Sequence, residues 1–288
     1  MLTLNAFEEA SEKVKEVTQE TKLVYSPYFS DRTGNKVYFK PENMQRTGAY
    51  KVRGAYYKIS TMTPEERERG LITASAGNHA QGVAYAASKY GVKAVIVMPE
   101  TTPFIKVERT RALGAEVVLH GNVFDESAAY ATKLAEENGY TFVHPFNDPT
   151  VATGQGTIAM EIVQDLPLVD YILVPIGGGG LAAGVSTLAK LLNPHIKVIG
   201  VEPAGAACMK ASRPDMWSSC LPRTPSPTAP RCSNRATRSS PMCTRTSMTS
   251  SRSTTTNSSS PSSTWWKTTR WWSRIPVCSP LRPLNIWI

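Results

Sequence analysis

Short apolar runs recur along the first two hundred residues, at Val37–Phe39, Leu71–Ala74, Ala94–Met98, Glu116–Leu119, Tyr140–His144, Tyr171–Ile176 and Lys197–Val201. Their brevity and their Val and Ile content predict strands buried on both faces. Between them the apolar positions take up a helical period, which predicts helices over Ala6–Glu20, Gly54–Ser60, Ala80–Tyr90, Ile105–Leu113, Asp125–Asn138, Gly156–Val163 and Leu181–Leu192. Gly91, Gly114 and Gly139 stand where helices should stop, because glycine takes the left-handed cap conformation without a steric penalty. Strands alternating with helices predict an α/β fold built on parallel sheet with helices on both faces. No internal repeat is present.

The pattern ends near residue 212. From Arg213 to Ile288 there are 76 residues with no glycine, no glutamate and one aspartate, Asp215, while serine and threonine supply 29 and arginine and proline 10 each. All six tryptophans lie there. The formal charge of +9 belongs to this tail, since residues 1–212 carry 21 basic and 22 acidic side chains. Three readings arise: a disordered basic arm for nucleic acid or an anionic surface, with Trp265, Trp266, Trp271 and Trp272 stacking on bases; a small structured module, which the missing glycine and periodicity oppose; or a gene read out of frame.

The genetic code favours the last. Tryptophan has one codon, so Trp265-Trp266-Lys267 fixes a base string that, read one base earlier, spells an apolar residue followed by Val-Glu. Trp271-Trp272-Ser273 and Met216-Trp217-Ser218 likewise yield valines and admit glutamate. Apolar and acidic residues, scarce as written, return at three separate places.

Other classes are excluded more simply. No apolar run approaches membrane-spanning length. Glu8, Glu9 and Glu12 follow the start too closely for a signal peptide. Cys208 is the single cysteine before the tail, and the other four have neither metal-ligand spacing nor a disulfide pattern. The expectation is a cytoplasmic protein that binds no membrane.

Candidate chemistry sits at three places. Tyr171-Ile-Leu-Val-Pro-Ile-Gly-Gly-Gly-Gly-Leu181 is a strand that ends in four glycines before a helix. Bare backbone N–H groups at a helix N-terminus hold an anion, and the Walker lysine is missing, so the phosphate of a cofactor fits better than a nucleoside triphosphate. Thr47-Gly-Ala-Tyr-Lys-Val-Arg-Gly-Ala55 puts Lys51 just before a helix, where an amine is discouraged from carrying charge and suits a Schiff base to pyridoxal phosphate (PLP). In Ser75-Ala-Gly-Asn-His-Ala-Gln-Gly82, Ser75, Asn78, His79 and nearby N–H groups stand where a strand passes into a helix and could grip a carboxylate. Each has an ordinary alternative: a surface lysine, a capped turn with a solvent-facing histidine, a tight structural turn. Gly154-Gln-Gly-Thr157 reads as a turn leading into a helix, and His144-Pro-Phe-Asn-Asp-Pro149 as a loop.

Taken in order, T-G-A-Y-K-V-R-G-A, S-A-G-N-H-A-Q-G, G-Q-G-T-I-A-M-E-I, P-I-G-G-G-G-L-A-A-G and G-V-E-P resemble the threonine dehydratase (threonine ammonia-lyase) branch of the tryptophan-synthase-β-like PLP enzymes, over essentially all of residues 1–212. The resemblance implies PLP as cofactor and an amino acid as substrate. By position it makes Lys51 the Schiff-base lysine and general base, sets Tyr50 beside the cofactor ring and bonds Asn78 to the 3′-oxygen. It gives the phosphate to Gly177, Gly178, Gly179, Gly180 and Leu181, and the substrate carboxylate to Ser75, Ala76, Gly77, Asn78 and His79. Ala49-Tyr50 stands where the family usually has Ser-Phe, which keeps the aromatic flank and loses a hydroxyl.

The resemblance further implies deamination of threonine, or serine, to 2-oxobutanoate, or pyruvate, and ammonia, as in isoleucine biosynthesis. It implies a two-lobed fold: residues 1–52 with 153–212 in a truncated large lobe, 53–152 in a small lobe, 213–288 an aberrant, disordered tail. Homo-oligomers are expected of the intact family. A serine racemase reading is weaker, because its metal site needs a carboxylate where Cys208 stands. One base earlier, Trp272-Ser273-Arg274 admits Val-Glu-Pro, which looks like a late family turn, and the family's serine at the pyridine nitrogen falls beyond the sequence. An inactive fragment and nucleic-acid binding through the basic tail are the alternatives.

Overall fold

The computed structural model describes residues 2–203, 249–253 and 285–287. In chain order the elements are α1 (Leu4–Val14), β1 (Val24–Tyr25), α2 (Pro27–Thr33), β2 (Lys36–Phe39), the 3-10 turn η1 (Glu42–Met44), α3 (Lys51–Ser60), α4 (Pro64–Arg69), β3 (Leu71–Ala74), α5 (Asn78–Tyr90) and β4 (Ala94–Met98). They continue with α6 (Phe104–Ala112), β5 (Glu116–Leu119), α7 (Phe124–Asn138), β6 (Thr141–Phe142), α8 (Pro149–Asp165), β7 (Tyr171–Pro175), α9 (Gly180–Leu192), β8 (Lys197–Pro203), β9 (Thr249–Ser253) and β10 (Asn285–Trp287).

The strands form two sheets, in the orders β1-β2-β10-β7-β8-β9 and β5-β4-β3-β6. Every pairing is parallel except β1 with β2. In the smaller sheet, pleating sends Ile72, Ala74, Val95 and Val97 toward Ala131 of α7. Leu71, Ile96 and Met98 face the other way, into a core with Val52 and Ile59 of α3 and Val83 of α5. In the larger sheet Ile172, Val174 and Val198 meet Phe7 of α1, Ile158 and Ile162 of α8 and Leu188 of α9. Helix α8 serves both cores, because Val151 near its start belongs to the first and Ile158 to the second.

Close helix contacts join the two halves. A Cβ on Gly154 would stand 2.7 Å from the Arg53 carbonyl oxygen and from Gly54 Cα, and one on Gly156 would stand 2.8 Å from the Gly184 oxygen. Helices α3 and α9 thus approach α8 backbone to backbone. This corrects the expectation that Gly154-Gln-Gly-Thr157 is a turn. The segment lies inside α8, where close packing outweighs the roughly 1 kcal/mol propensity penalty of each helical glycine. The helix starts seven residues earlier than expected, at Pro149, because Asp148 caps it through the N–H groups of Thr150 and Val151.

The tail enters the large sheet twice. β10 lies between β2 and β7, and β9 runs parallel to β8. Ladder hydrogen bonds are made by backbone, so an open strand edge accepts an extended segment with little regard to its side chains. The reading-frame sites Met216–Ser218, 265–267 and 271–274, and Cys208, lie outside the described residues.

Candidate active site

Lys51 is the first residue of α3. Its amine donates to the Pro145 carbonyl oxygen at 2.6 Å and lies 5.5 Å from the centre of the Tyr50 ring. Burial alone lowers its pKa to about 8, with no carboxylate opposing the shift. The position at a helix N-terminus acts in the same sense. Burial also pushes the Tyr50 phenol up to about 12, so it stays a neutral, protonated ring.

Two residues on, Arg53 is fully buried and fixes the start of α3. Its guanidinium donates to both carboxylate oxygens of Glu42 at 2.8 Å, to both of Glu161 at 2.5 and 3.0 Å, and to the Thr157 hydroxyl at 3.2 Å. Lys40 meets Glu161 at 2.6 Å and donates to the Thr21 carbonyl. Burial would raise the Glu161 carboxyl, but the hydrogen bond from Arg53 and the charges of Arg53 and Lys40 hold it below its ordinary value. This network escaped the sequence reading; the arginine among small residues in Val52-Arg-Gly-Ala55 was its one signal.

Ser75–Gly77 form the turn from β3 into α5, and the Ser75 hydroxyl accepts from the Gly77 N–H at 3.3 Å. Gly77 occupies the cap position without a side-chain cap, and Asn78 stands exposed at the first helical position. The N-terminus of α5 is thus left for an outside anion. His79 departs from the solvent-facing alternative. It is buried, and its Nε2 sits 3.1 Å from the Val143 carbonyl. A carbonyl only accepts, so Nε2 carries the proton and Nδ1 is bare, with no hydrogen-bond partner among the described residues. Burial first, then the charge of Lys51, depress its pKa to about 3. Gly82 lets α5 lie against the first turn of α3, since a Cβ there would stand 3.0 Å from the Lys51 backbone carbon.

The segment after β6 is tied at every residue. The Val143 carbonyl accepts from Thr73 at 2.7 Å as well as from His79. His144 Nδ1 accepts from the N–H groups of Phe146 at 3.3 Å and Asn147 at 2.8 Å. Asp148 caps α8 and pairs with Lys58 at 2.9 Å. The expectation of a loop at His144–Pro149 holds as far as Asp148, and its constraint was not foreseen.

The glycine run leaves the C-terminal end of β7. Gly179 takes φ 89° at the cap of α9, a conformation that favours glycine, and no side chain caps the helix. A Cβ on Gly178 would collide with the Phe146 ring, and one on Gly180 would stand 2.9 Å from the Phe146 carbonyl oxygen. A Cβ on Gly177 would meet nothing within 4 Å, so that face of the run is open. Leu181 is buried in the core behind it.

Through Pro145 and Phe146, Lys51 is therefore linked to the segments that leave the carboxyl ends of β6 and β7, the ends at which parallel sheets place their ligands. A profile of the family described as pyridoxal-phosphate dependent enzymes matches residues 14–245. The chain belongs to that family. It is 52% identical over 212 residues to an L-threonine ammonia-lyase of Thermotoga maritima, covering 74% of this chain and 53% of that protein. The processed threonine deaminase isoform 2 of Solanum lycopersicum superposes with TM-score 0.68 at 45% identity, over 72% of this chain and 59% of its own. A serine racemase of maize gives 0.69 at 34%, over 73% and 63%. The chain spans about half the length of the curated relatives it matches.

The site fits the family's cofactor on its own terms. A buried amine without an acidic partner suits covalent attachment to an aldehyde, and an uncapped helix N-terminus with an open glycine face suits a phosphate. The described residues hold no group of three or more His, Cys, Asp or Glu suited to a metal ion.

Proposed function

We propose that this chain carries the PLP site for deamination of a β-hydroxy amino acid, threonine and secondarily serine, by β-elimination. The observation that carries this reading is the Lys51 amine, its pKa lowered by burial to about 8, tied by Pro145 to the segment that packs on the glycine run. The L-threonine ammonia-lyases at about 50% identity support the choice of substrate.

The chain's own residues would divide the work. The N–H groups at Gly178–Leu181 and the end of α9 hold the cofactor phosphate, and Tyr50 flanks its ring. Asn78 bonds the ring's 3′-oxygen. The uncapped start of α5, with Ser75, Ala76, Gly77 and the His79 backbone, takes the substrate carboxylate. When bound, PLP supplies an electron sink for the bond broken at Cα. Lys51 removes the Cα proton; with its pKa near 8, the unprotonated fraction at neutral pH exceeds that of an exposed lysine by roughly two orders of magnitude. The β-hydroxyl then leaves as water, taking up a proton, and the released enamine, as its imine tautomer, adds a water molecule to give 2-oxobutanoate or pyruvate and ammonia.

Each sheet with its helices is read as one lobe, residues 1–52 with 153–212 and residues 53–152. A cytoplasmic setting accords with this chemistry; among the described residues no helix is long and apolar enough to cross a membrane. The alternative reading is cofactor capture by Lys51 and the glycine run without turnover.

Adding PLP to the purified chain, then threonine, tests both. A lysine-dependent absorbance band near the visible edge followed by 2-oxobutanoate supports deamination. A band without product selects capture alone, and no band overturns the reading of the site.

A further inference from the structure

The glycine run presents a physical difficulty. Four consecutive glycines lose more conformational entropy on ordering than any other tetrapeptide, so a run aimed at a phosphate needs something outside itself to fix it. Its own helix contributes the Gly179 cap, and β7 holds it from behind. On another side the run meets Phe146.

The Phe146 ring fills the space where a Gly178 Cβ would project. Its backbone and Cβ lie 2.9 to 3.3 Å from where a Gly180 Cβ would stand. The ring is itself oriented, because it meets the His144 imidazole edge to face with centroids 4.7 Å apart, and its N–H donates to His144 Nδ1. The residue before it, Pro145, accepts the Lys51 amine. One dipeptide thus touches both ends of the site, the amine through Pro145 and the phosphate loop through Phe146.

We infer that Phe146 is the positioning residue of the phosphate loop: its ring sets the conformation in which Gly178–Leu181 aim their N–H groups at an anion, in register with Lys51. This rests on the PLP reading of the site. Phe146 contributes no polar side-chain atom, so it acts through the loop and not by touching the reacting atoms. Its loss should therefore weaken recognition of the phosphate far more than attachment of the aldehyde.

The test compares PLP with pyridoxal, which has the same aldehyde and ring without the phosphate. The full 288-residue chain, Phe146→Ala and Phe146→Leu are titrated with each by absorbance, with Lys51→Ala as the blank, and each is melted without ligand. Charge-assisted hydrogen bonds to an anion are worth at least a factor of ten, so Phe146→Ala should reduce the preference for PLP over pyridoxal by about tenfold or more while pyridoxal binding changes little. Phe146→Leu, which keeps apolar volume and folds more securely, should show a smaller loss of the same sign. Equal losses for PLP and pyridoxal, or an unchanged preference in both variants, overturn the inference while the site reading stands. A wild-type chain that forms no lysine-dependent band with PLP overturns both.

Discussion

The Lys51 amine and the Pro145 carbonyl oxygen lie 2.6 Å apart and are separated by 94 positions in the chain. The partner is a neutral acceptor, which orients the amine without stabilising its charge as a carboxylate would. Burial therefore acts unopposed, and the pKa falls from 10.5 to about 8. Only the neutral amine attacks an aldehyde. Covalent trapping of pyridoxal by borohydride, followed by mass spectrometry at Lys51, should rise with pH through a midpoint near 8 and level off above it. A midpoint near 10.5 would mean an amine open to water.

The buried His79 and the half-buried His144 predict the acid limb of stability. His79 is depressed to about 3 by burial and then by Lys51; His144 is depressed by burial and Lys51, against the opposing charge of Asp148. In the unfolded chain both titrate near 6.5, so between that value and their folded values the unfolded state binds the extra protons. Their contribution is complete above pH 6.5, falls as pH drops below it, and for His79 continues to fall until about 3. Urea midpoints measured from pH 7.5 to 4.5 should decline, and His79→Asn should flatten the decline even though it lowers the midpoint at neutral pH. An equally steep decline in the variant would assign the effect to other groups.

Much of the architecture is legible in the residues. The strand runs at Leu71–Ala74 and Ala94–Met98 match the observed strands end for end, because continuous β-branched and apolar runs have no stable exposed alternative. Glu116–Leu119 also matches, although as the edge strand it leaves Glu116 and Leu119 exposed and departs from the expected burial on both faces. The short elements were not foreseen. α4 rests on a capping box, with Thr63 and Glu66 each bonded to the other's backbone, a signal carried by two residues and no apolar stripe. The candidate site was legible where backbone chemistry dictates residue type, as at the glycine run. Arg53 and Phe146 were not, since their roles depend on partners about a hundred and about thirty residues away, and no local period encodes such contacts.

The backbone approach of α8 to α9 predicts a graded glycine series. A Cβ at Gly184 collides with the Ala152 carbonyl, and one at Gly156 meets the Gly184 oxygen. Neither obstacle is a flexible side-chain end, so Gly156→Ala and Gly184→Ala should each lose about 3 kcal/mol or fail to fold. Gly91 caps α5 at φ 63° with nothing within 4 Å, so Gly91→Ala should lose only the left-handed strain, about 1 kcal/mol. Denaturant midpoints check the order. Equal losses at Gly91 and Gly156 would mean that α8 and α9 can separate.

Arg53 holds Glu42 and Glu161 together in the interior, so its removal should expose the weakness of buried ion pairs. Arg53→Met leaves Glu42 without its cation and Glu161 with Lys40 alone, and should destabilise by about 3–5 kcal/mol. The triple variant Arg53→Met, Glu42→Met, Glu161→Leu should recover part of that loss, because no charge is then stranded except Lys40, which keeps its bond to Thr21. Melting temperatures with and without PLP separate stability from positioning of Lys51. A triple variant no more stable than Arg53→Met would show that shape, not charge, governs this cluster.

Restoring the reading frame tests what the tail contributes. Among the described residues β2 and β7 are joined through β10, three residues of tail, and β9 adds five beside β8. In a gene corrected by one base near codon 213, the positions now read as Trp272-Ser273-Arg274 admit Val-Glu-Pro, and apolar and acidic residues return at the tryptophan sites. The corrected chain should melt at a higher temperature and bind PLP more tightly than the sequence as written, since a better-supported larger sheet holds the end of β7 and its glycine run in place. Resequencing that returns the same bases, together with equal PLP affinity in both chains, would make the serine- and threonine-rich tail a genuine part of the protein.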